Sequence, residues 1–140
     1  MRKITHSATE TKEFAEKLAK KILEKGTQKK AAVLALSGEL GSGKTTFAQG
    51  FFEGLGIKSR ATSPTFIIFR RHRIPVRGVR FSKNYKLKTT NYSNVVHMDA
   101  YRIKKDAELG ALGLKEIMDN PQNILLVEWA ENIKKVIPRD

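Results

Sequence analysis

The run Gly38-Glu39-Leu40-Gly41-Ser42-Gly43-Lys44-Thr45 sets Gly38 and Gly43 with four residues between them, then a lysine and a hydroxyl. That spacing suits phosphate chemistry. Consecutive backbone N–H groups must wrap the anion, and glycines permit both the close approach and the unusual dihedrals. A helix starting there aims its N-terminal N–H groups at the same anion. Lys44 supplies a positive charge for the β- and γ-phosphates, and the Thr45 hydroxyl supplies a magnesium ligand. The run therefore points to a bound nucleoside triphosphate.

Magnesium at such a loop needs a carboxylate near the end of a neighbouring strand. Asp99 and Glu128 each close an apolar run, Val95-Val-His-Met and Ile124-Leu-Leu-Val. Either can serve the metal, and the other can orient an attacking water. His97 stands alone, which favours packing or a hydrogen bond over metal ligation. No Asn-Lys-x-Asp occurs, so guanine readout of the GTPase kind is unsupported.

These residues need elements that hold them. Ser7-x-x-Glu10 reads as a capping box opening a helix, with Phe14, Leu18 and Ile22 as its apolar stripe, Ala15 and Ala19 beside it, and Gly26 as its end. Ala31 to Leu36 reads as a buried parallel strand entering the phosphate loop. Thr45 to Leu55 reads as a helix with Phe47, Phe51, Phe52 and Leu55 on its apolar side. Phe66 to Phe69 can form a short strand, and 70–94 reads as a long basic loop or hairpin. Val95 to Asp99 and Ile124 to Glu128 read as strands. Between them a helix from Asp106 runs through Leu109, Leu112 and Ile117 until Asn120-Pro121 breaks it. A short helix starts at Glu131. Strands alternating with helices predict an α/β, P-loop NTPase-like three-layer domain with a largely parallel central sheet, spanning 1–140.

The chain of 140 residues is the size of one domain, and its 40% hydrophobic and 29% charged residues are ordinary for a soluble protein. It has no cysteine, which removes disulfides and thiolate metal sites. No apolar stretch has the length of a membrane span or the form of a signal peptide, so a cytoplasmic location is expected. The net charge of +13 is concentrated. Between Glu53 and Asp99 there is no acidic residue, while Lys58, Arg60, Arg70, Arg71, Arg73, Arg77, Arg80, Lys83, Lys86 and Lys88 all fall there.

Four motifs in order carry a resemblance. They are Gly38-Glu-Leu-Gly-Ser-Gly-Lys-Thr-Thr46, Thr62-Ser-Pro-Thr-Phe66, His97-x-Asp99-x-Tyr101-Arg102 and Val127-Glu128-Trp129. From about Ile4 to Pro138, apart from the basic segment, the chain resembles the TsaE family, the P-loop ATPases of bacterial tRNA threonylcarbamoyladenosine biosynthesis. The resemblance implies a weak magnesium-dependent ATPase that acts with TsaB and TsaD. There TsaD transfers the threonylcarbamoyl group to adenosine 37 of tRNA, and the ATPase drives a conformational step between cycles. By the same resemblance, Gly41, Ser42, Gly43, Lys44, Thr45 and Thr46, with Glu39 beside them, hold ATP. Thr45 and Glu128 hold Mg2+, with Asp99 near the γ-phosphate as base, water-orienter or further ligand. Ser63-Pro-Thr65 is a nucleotide-sensing loop, with Thr65 as its contact, and Trp129 lies near the nucleotide.

Two departures from the family pattern stand out. The segment 70–94 is longer and more basic than the usual connection, and the family continues with further strands beyond the position of Pro138. Phe66, Phe69, Phe81, Tyr85 and Tyr92 interleave with the cations, so tRNA contact through 70–88 is expected, with an acidic protein surface as the competing partner. Two other functions remain open on the residues: a small P-loop nucleoside or sugar kinase, and an RNA-binding module that senses nucleotide without hydrolysing it.

Overall fold

A four-stranded sheet in the order β1-β4-β3-β2 forms the middle layer of the computed structural model, which describes residues 3–26, 28–58, 68–75 and 91–138. The strands are β1 (Ala32–Leu36), β2 (Phe69–Arg73), β3 (Asn94–Asp99) and β4 (Asn123–Glu128). β1, β4 and β3 run parallel, and β2 pairs antiparallel with β3. The largely parallel sheet is the expected one.

Alternation along the central strands sends side chains to two cores. Val95, Ile124 and Leu126 meet the helices α1 (Ala8–Lys25) and α2 (Lys44–Gly54) on one face. Val96, Met98, Leu125 and Val127 meet α3 (Asp106–Ala111), α4 (Leu114–Asp119) and a 3-10 turn, Ala130–Ile133, on the other. Every residue of β4 is buried, which explains its unbroken apolar run.

The helix α1 opens as its capping box predicts. Ser7 Oγ accepts from Glu10 N–H at 3.1 Å, while Glu10 Oε2 reaches back to His6 N–H at 2.7 Å. Its buried line differs from the expected stripe. Ala15, Ala19 and Leu23 are buried, and Phe14, Leu18 and Ile22 lie only partly covered. The reason is close helix packing. A Cβ on Gly50 of α2 would lie 2.4 Å from the Lys12 carbonyl oxygen, and one on Gly54 2.5 Å from that of Glu16. Two helices that approach this closely bring small residues to the seam and displace the large ones to its flanks.

Other boundaries also shift. The chain reads β1 as buried, but it is the edge strand, with four residues half-covered and Ala35 exposed. Of the strand expected at 66–69, residues 66 and 67 lie outside the described residues; Phe69 opens β2, which runs on to Arg73, so the basic segment begins within the sheet. The expected helix from Asp106 to Ile117 divides at Gly113, whose φ of 70° is left-handed and ends the helical run. Thr65, Ser63 and most of the basic segment lie outside the described residues. Among the described residues no helix is long and apolar enough to cross a membrane.

Candidate nucleotide site

The parallel register builds the site. Leu36 pairs with Glu128, and Glu128 pairs with Asp99, so three strands end level with one another. Ligands of open α/β sheets collect at such strand ends. The chain leaves β1 at Ser37 into the phosphate loop and enters α2 at Lys44, with Gly43 as the helix N-cap. Gly41 (φ 79°) and Gly43 (φ 92°) both take left-handed backbone, which residues with a Cβ rarely adopt, and that conformation wraps the loop.

Residues two apart on a strand share a face, so His97 and Asp99 lie on the face of Val95, and Glu128 on that of Leu126. This is the face that α2 covers. The result is a cleft of about 420 Å³ lined by Leu40, Gly41, Gly43, Lys44, Thr45, Thr46, Asp99, Tyr101, Glu128 and Trp129. The structure thus gathers eight sequence-predicted site residues on one cavity. Ser42 and Glu39 stand outside its lining, and both accept hydrogen bonds from Lys44.

Lys44 is buried, and its ammonium is held by the phosphate loop beside the cleft that it lines. Nζ donates to the Gly38 carbonyl at 2.6 Å, the Glu39 carbonyl at 2.8 Å and Ser42 Oγ at 3.3 Å. It also lies 3.9 Å from the centre of the Trp129 ring, a cation–π contact. The Glu39 contribution is its main chain; its side chain is exposed. Trp129 follows β4 with φ 59°, ψ 42°, the one described non-glycine residue at positive φ. That turn lays its ring beside Tyr101, with centroids 4.9 Å apart.

Both carboxylates are buried and both are anchored. Asp99 Oδ1 accepts from Tyr101 N–H at 2.8 Å. Glu128 Oε1 lies 2.7 Å from His97 Nε2, with both side chains 2% exposed. His97 in turn packs edge-on against Phe52 of α2, at 5.6 Å between centroids. The lone histidine is thus a partner to the candidate metal carboxylate. A hydroxyl and two carboxylates on one cleft are the hard oxygen donors that magnesium takes beside phosphates. Among the described residues, no cluster of three His, Cys, Asp or Glu side chains gathers into an all-protein metal site.

Three contacts had no separate signal in the sequence. Glu131 Oε1 accepts from Gly38 N–H at 3.3 Å. Asn132 Nδ2 donates to the carbonyls of Ala100 at 3.0 Å and Tyr101 at 3.3 Å. Burial pushes the Glu131 carboxyl up, but the N–H groups of Glu131 and Gly38, the Ser37 hydroxyl and the Lys44 charge together hold it below its ordinary value. The His97–Glu128 pair joins two strands and likewise has no local signal in the sequence.

The model of the family described as threonylcarbamoyl adenosine biosynthesis protein TsaE matches residues 5–140. The tRNA threonylcarbamoyladenosine biosynthesis protein TsaE of Bacillus subtilis is 39% identical over 108 residues, 77% of this chain and 56% of that protein. Its namesake in Rickettsia bellii is 31% identical over 136 residues, 96% of this chain and 78% of that protein. The chain thus spans little more than half the length of the Bacillus relative. The crystal structure of Bacillus subtilis YdiB superposes with a TM-score of 0.63 at 32% identity, covering 96% of this chain and 67% of that one. By its motifs, its sheet and the span of these matches, the chain belongs to the family of threonylcarbamoyl adenosine biosynthesis protein TsaE.

Proposed function

We propose that the chain is an ATP-binding and ATP-hydrolysing subunit required for threonylcarbamoyl modification of adenosine 37 in tRNA, a cytoplasmic nucleotide-handling domain spanning 1–140. The observation that carries this reading is the register that sets Asp99 and Glu128 side by side, facing Lys44 and Thr45 across one cleft. The relatives' names supply the tRNA modification, and the resemblance supplies TsaB and TsaD as partners.

Each side chain has a role in this reading. The backbone N–H groups of Gly41 to Thr46 and the N-terminus of α2 cradle the phosphates. Lys44, already fixed by three acceptors, places its charge at the β- and γ-phosphates. Thr45 and Glu128 hold Mg2+, which when bound neutralises charge on the phosphate oxygens. Asp99, at the end of β3, orients water toward the γ-phosphate. Trp129 and Tyr101 flank the cleft, Trp129 as the wall beside the nucleotide. By the resemblance, Thr65, outside the described residues, is the nucleotide sensor.

Arg70, Arg71 and Arg73 of β2 are exposed, which supports tRNA contact through 70–88. The test is ATP hydrolysis by the wild type and Lys44→Ala, each with and without the two partners. The expected result is weak turnover alone, large stimulation with the partners, and none in Lys44→Ala despite an unchanged thermal unfolding midpoint. Turnover retained in that variant would refute the assigned site. Transfer of phosphate to a nucleoside or sugar instead of water would favour a kinase.

A further inference from the structure

β4 lies between β1 and β3, so the chain leaving β4 is the segment that adjoins both the phosphate loop and the Asp99 loop. The left-handed Trp129 folds it back there into the turn Ala130–Ile133. Ala130 and Ile133 are buried at 3% and 1% exposure, which fixes the turn to the core beneath it. Glu131 and Asn132 between them are exposed, and they reach in opposite directions. Glu131 takes the first N–H of the phosphate loop, at Gly38, and Asn132 takes the two carbonyls that follow Asp99.

We propose that this turn is the strut of the site: Glu131 is a positioning residue for the phosphate loop, and Asn132 is a positioning residue for the Asp99 loop. The proposal rests on the nucleotide reading above. Single hydrogen bonds, exposed at Gly38 and Tyr101 and part-buried at Ala100, contribute modestly to overall stability. Their effect here is geometric, because each joins a rigid, core-anchored turn to a loop that must meet a ligand. Glu131 takes the Gly38 N–H and holds the loop's first turn from the side, while the Ser42 N–H donates to the Glu39 carbonyl within the loop. Asn132 bridges the Ala100 and Tyr101 carbonyls. The same peptide run supplies the Tyr101 N–H that holds Asp99 Oδ1. A slack Asn132 contact therefore loosens Asp99 without touching the phosphate cradle. Displacements of this kind at a reacting centre cost rate more than binding.

The test uses the chain's single tryptophan, Trp129, as the reporter. Mg-ADP and Mg-ATP are titrated by fluorescence, and single-turnover ATP hydrolysis is measured, on the wild type and four variants. Glu131→Ala is expected to weaken both nucleotides by about five- to tenfold, and Glu131→Gln, which keeps an oxygen acceptor, to restore binding to within about twofold. Asn132→Ala and Asn132→Asp, the latter isosteric but without the donor, are expected to leave Kd within about twofold and lower the hydrolysis rate about tenfold.

A wild type that binds neither nucleotide would sink the underlying functional reading. A wild type that binds and hydrolyses, with all four variants within about twofold of it in both quantities, would overturn the strut alone. Uniform loss in all four variants, with Glu131→Gln as impaired as Glu131→Ala and a lower unfolding midpoint, would mark a merely structural role and also overturn it.

Discussion

Glu128 is buried and has a close side-chain partner, His97 at 2.7 Å. A carboxylate taken out of water needs such a partner to remain ordered. The histidine does for Glu128 what an outer-shell group does for a metal ligand: it fixes the orientation of the oxygens. His97→Leu is therefore expected to raise the Mg2+ concentration for half-maximal hydrolysis by roughly ten- to a hundredfold. Glu128→Gln is expected to raise it further. Both follow from magnesium titrations of turnover, with unfolding midpoints as the control. An unchanged magnesium requirement in both variants would remove Glu128 from the metal's shell. The phosphate loop was legible in sequence because its chemistry demands consecutive positions. Asp99 and Glu128 were legible as the charged ends of apolar runs. The His97–Glu128 contact joins two strands, and the Glu131 contact spans most of the chain, so no local spacing announces either.

The closest fit between elements is that of α1 and α2. Gly50 has Lys12 backbone atoms where a Cβ would stand, the nearest at 2.4 Å, so any side chain there must push the helices apart. Gly50→Ala is expected to destabilise the fold by about 1–3 kcal/mol, by overpacking. This is the opposite of the gain of roughly 1 kcal/mol that alanine brings to a solvent-exposed helix site. Urea denaturation decides the sign, and a stabilised variant would contradict the packing. The element pattern shows where sequence reasoning loses its grip. Helical spacing placed α1 and its cap correctly but chose the large residues for its buried face. Tertiary closeness reversed that choice in favour of Ala15 and Ala19. Apolar content alone made β1 look interior, whereas among the described residues only β4 and β3 have neighbours on both sides. Gly113 was a break that the Leu109–Ile117 periodicity concealed.

Charge and sheet order belong to the whole molecule. Burial, then the charges of His97 and Arg70, hold His72 below its ordinary value of 6.5. The folded protein therefore resists protonation at His72 more than the unfolded chain does. The resulting stability is present above pH 6.5 and is lost as pH falls through the lower folded value. His72→Gln is expected to show a smaller fall in its urea midpoint between about pH 7.5 and about pH 5.5 than the wild type. Equal falls would show that other groups carry the acid sensitivity. The sheet was legible as largely parallel because helices alternate with apolar strand runs. Its strand order was not legible, since β4 enters between strands that precede it in the chain. That insertion also bears on how the molecule forms. Ala32 cannot pair with Ile124 until most of the intervening chain has been drawn into a closed loop. Loop closure of that length is entropically unfavourable and tends to come late, so folding is expected to be slower than in a helical bundle of equal length. The three strand ends are level only with β4 seated between β1 and β3, so the cleft is complete only in the fully paired sheet.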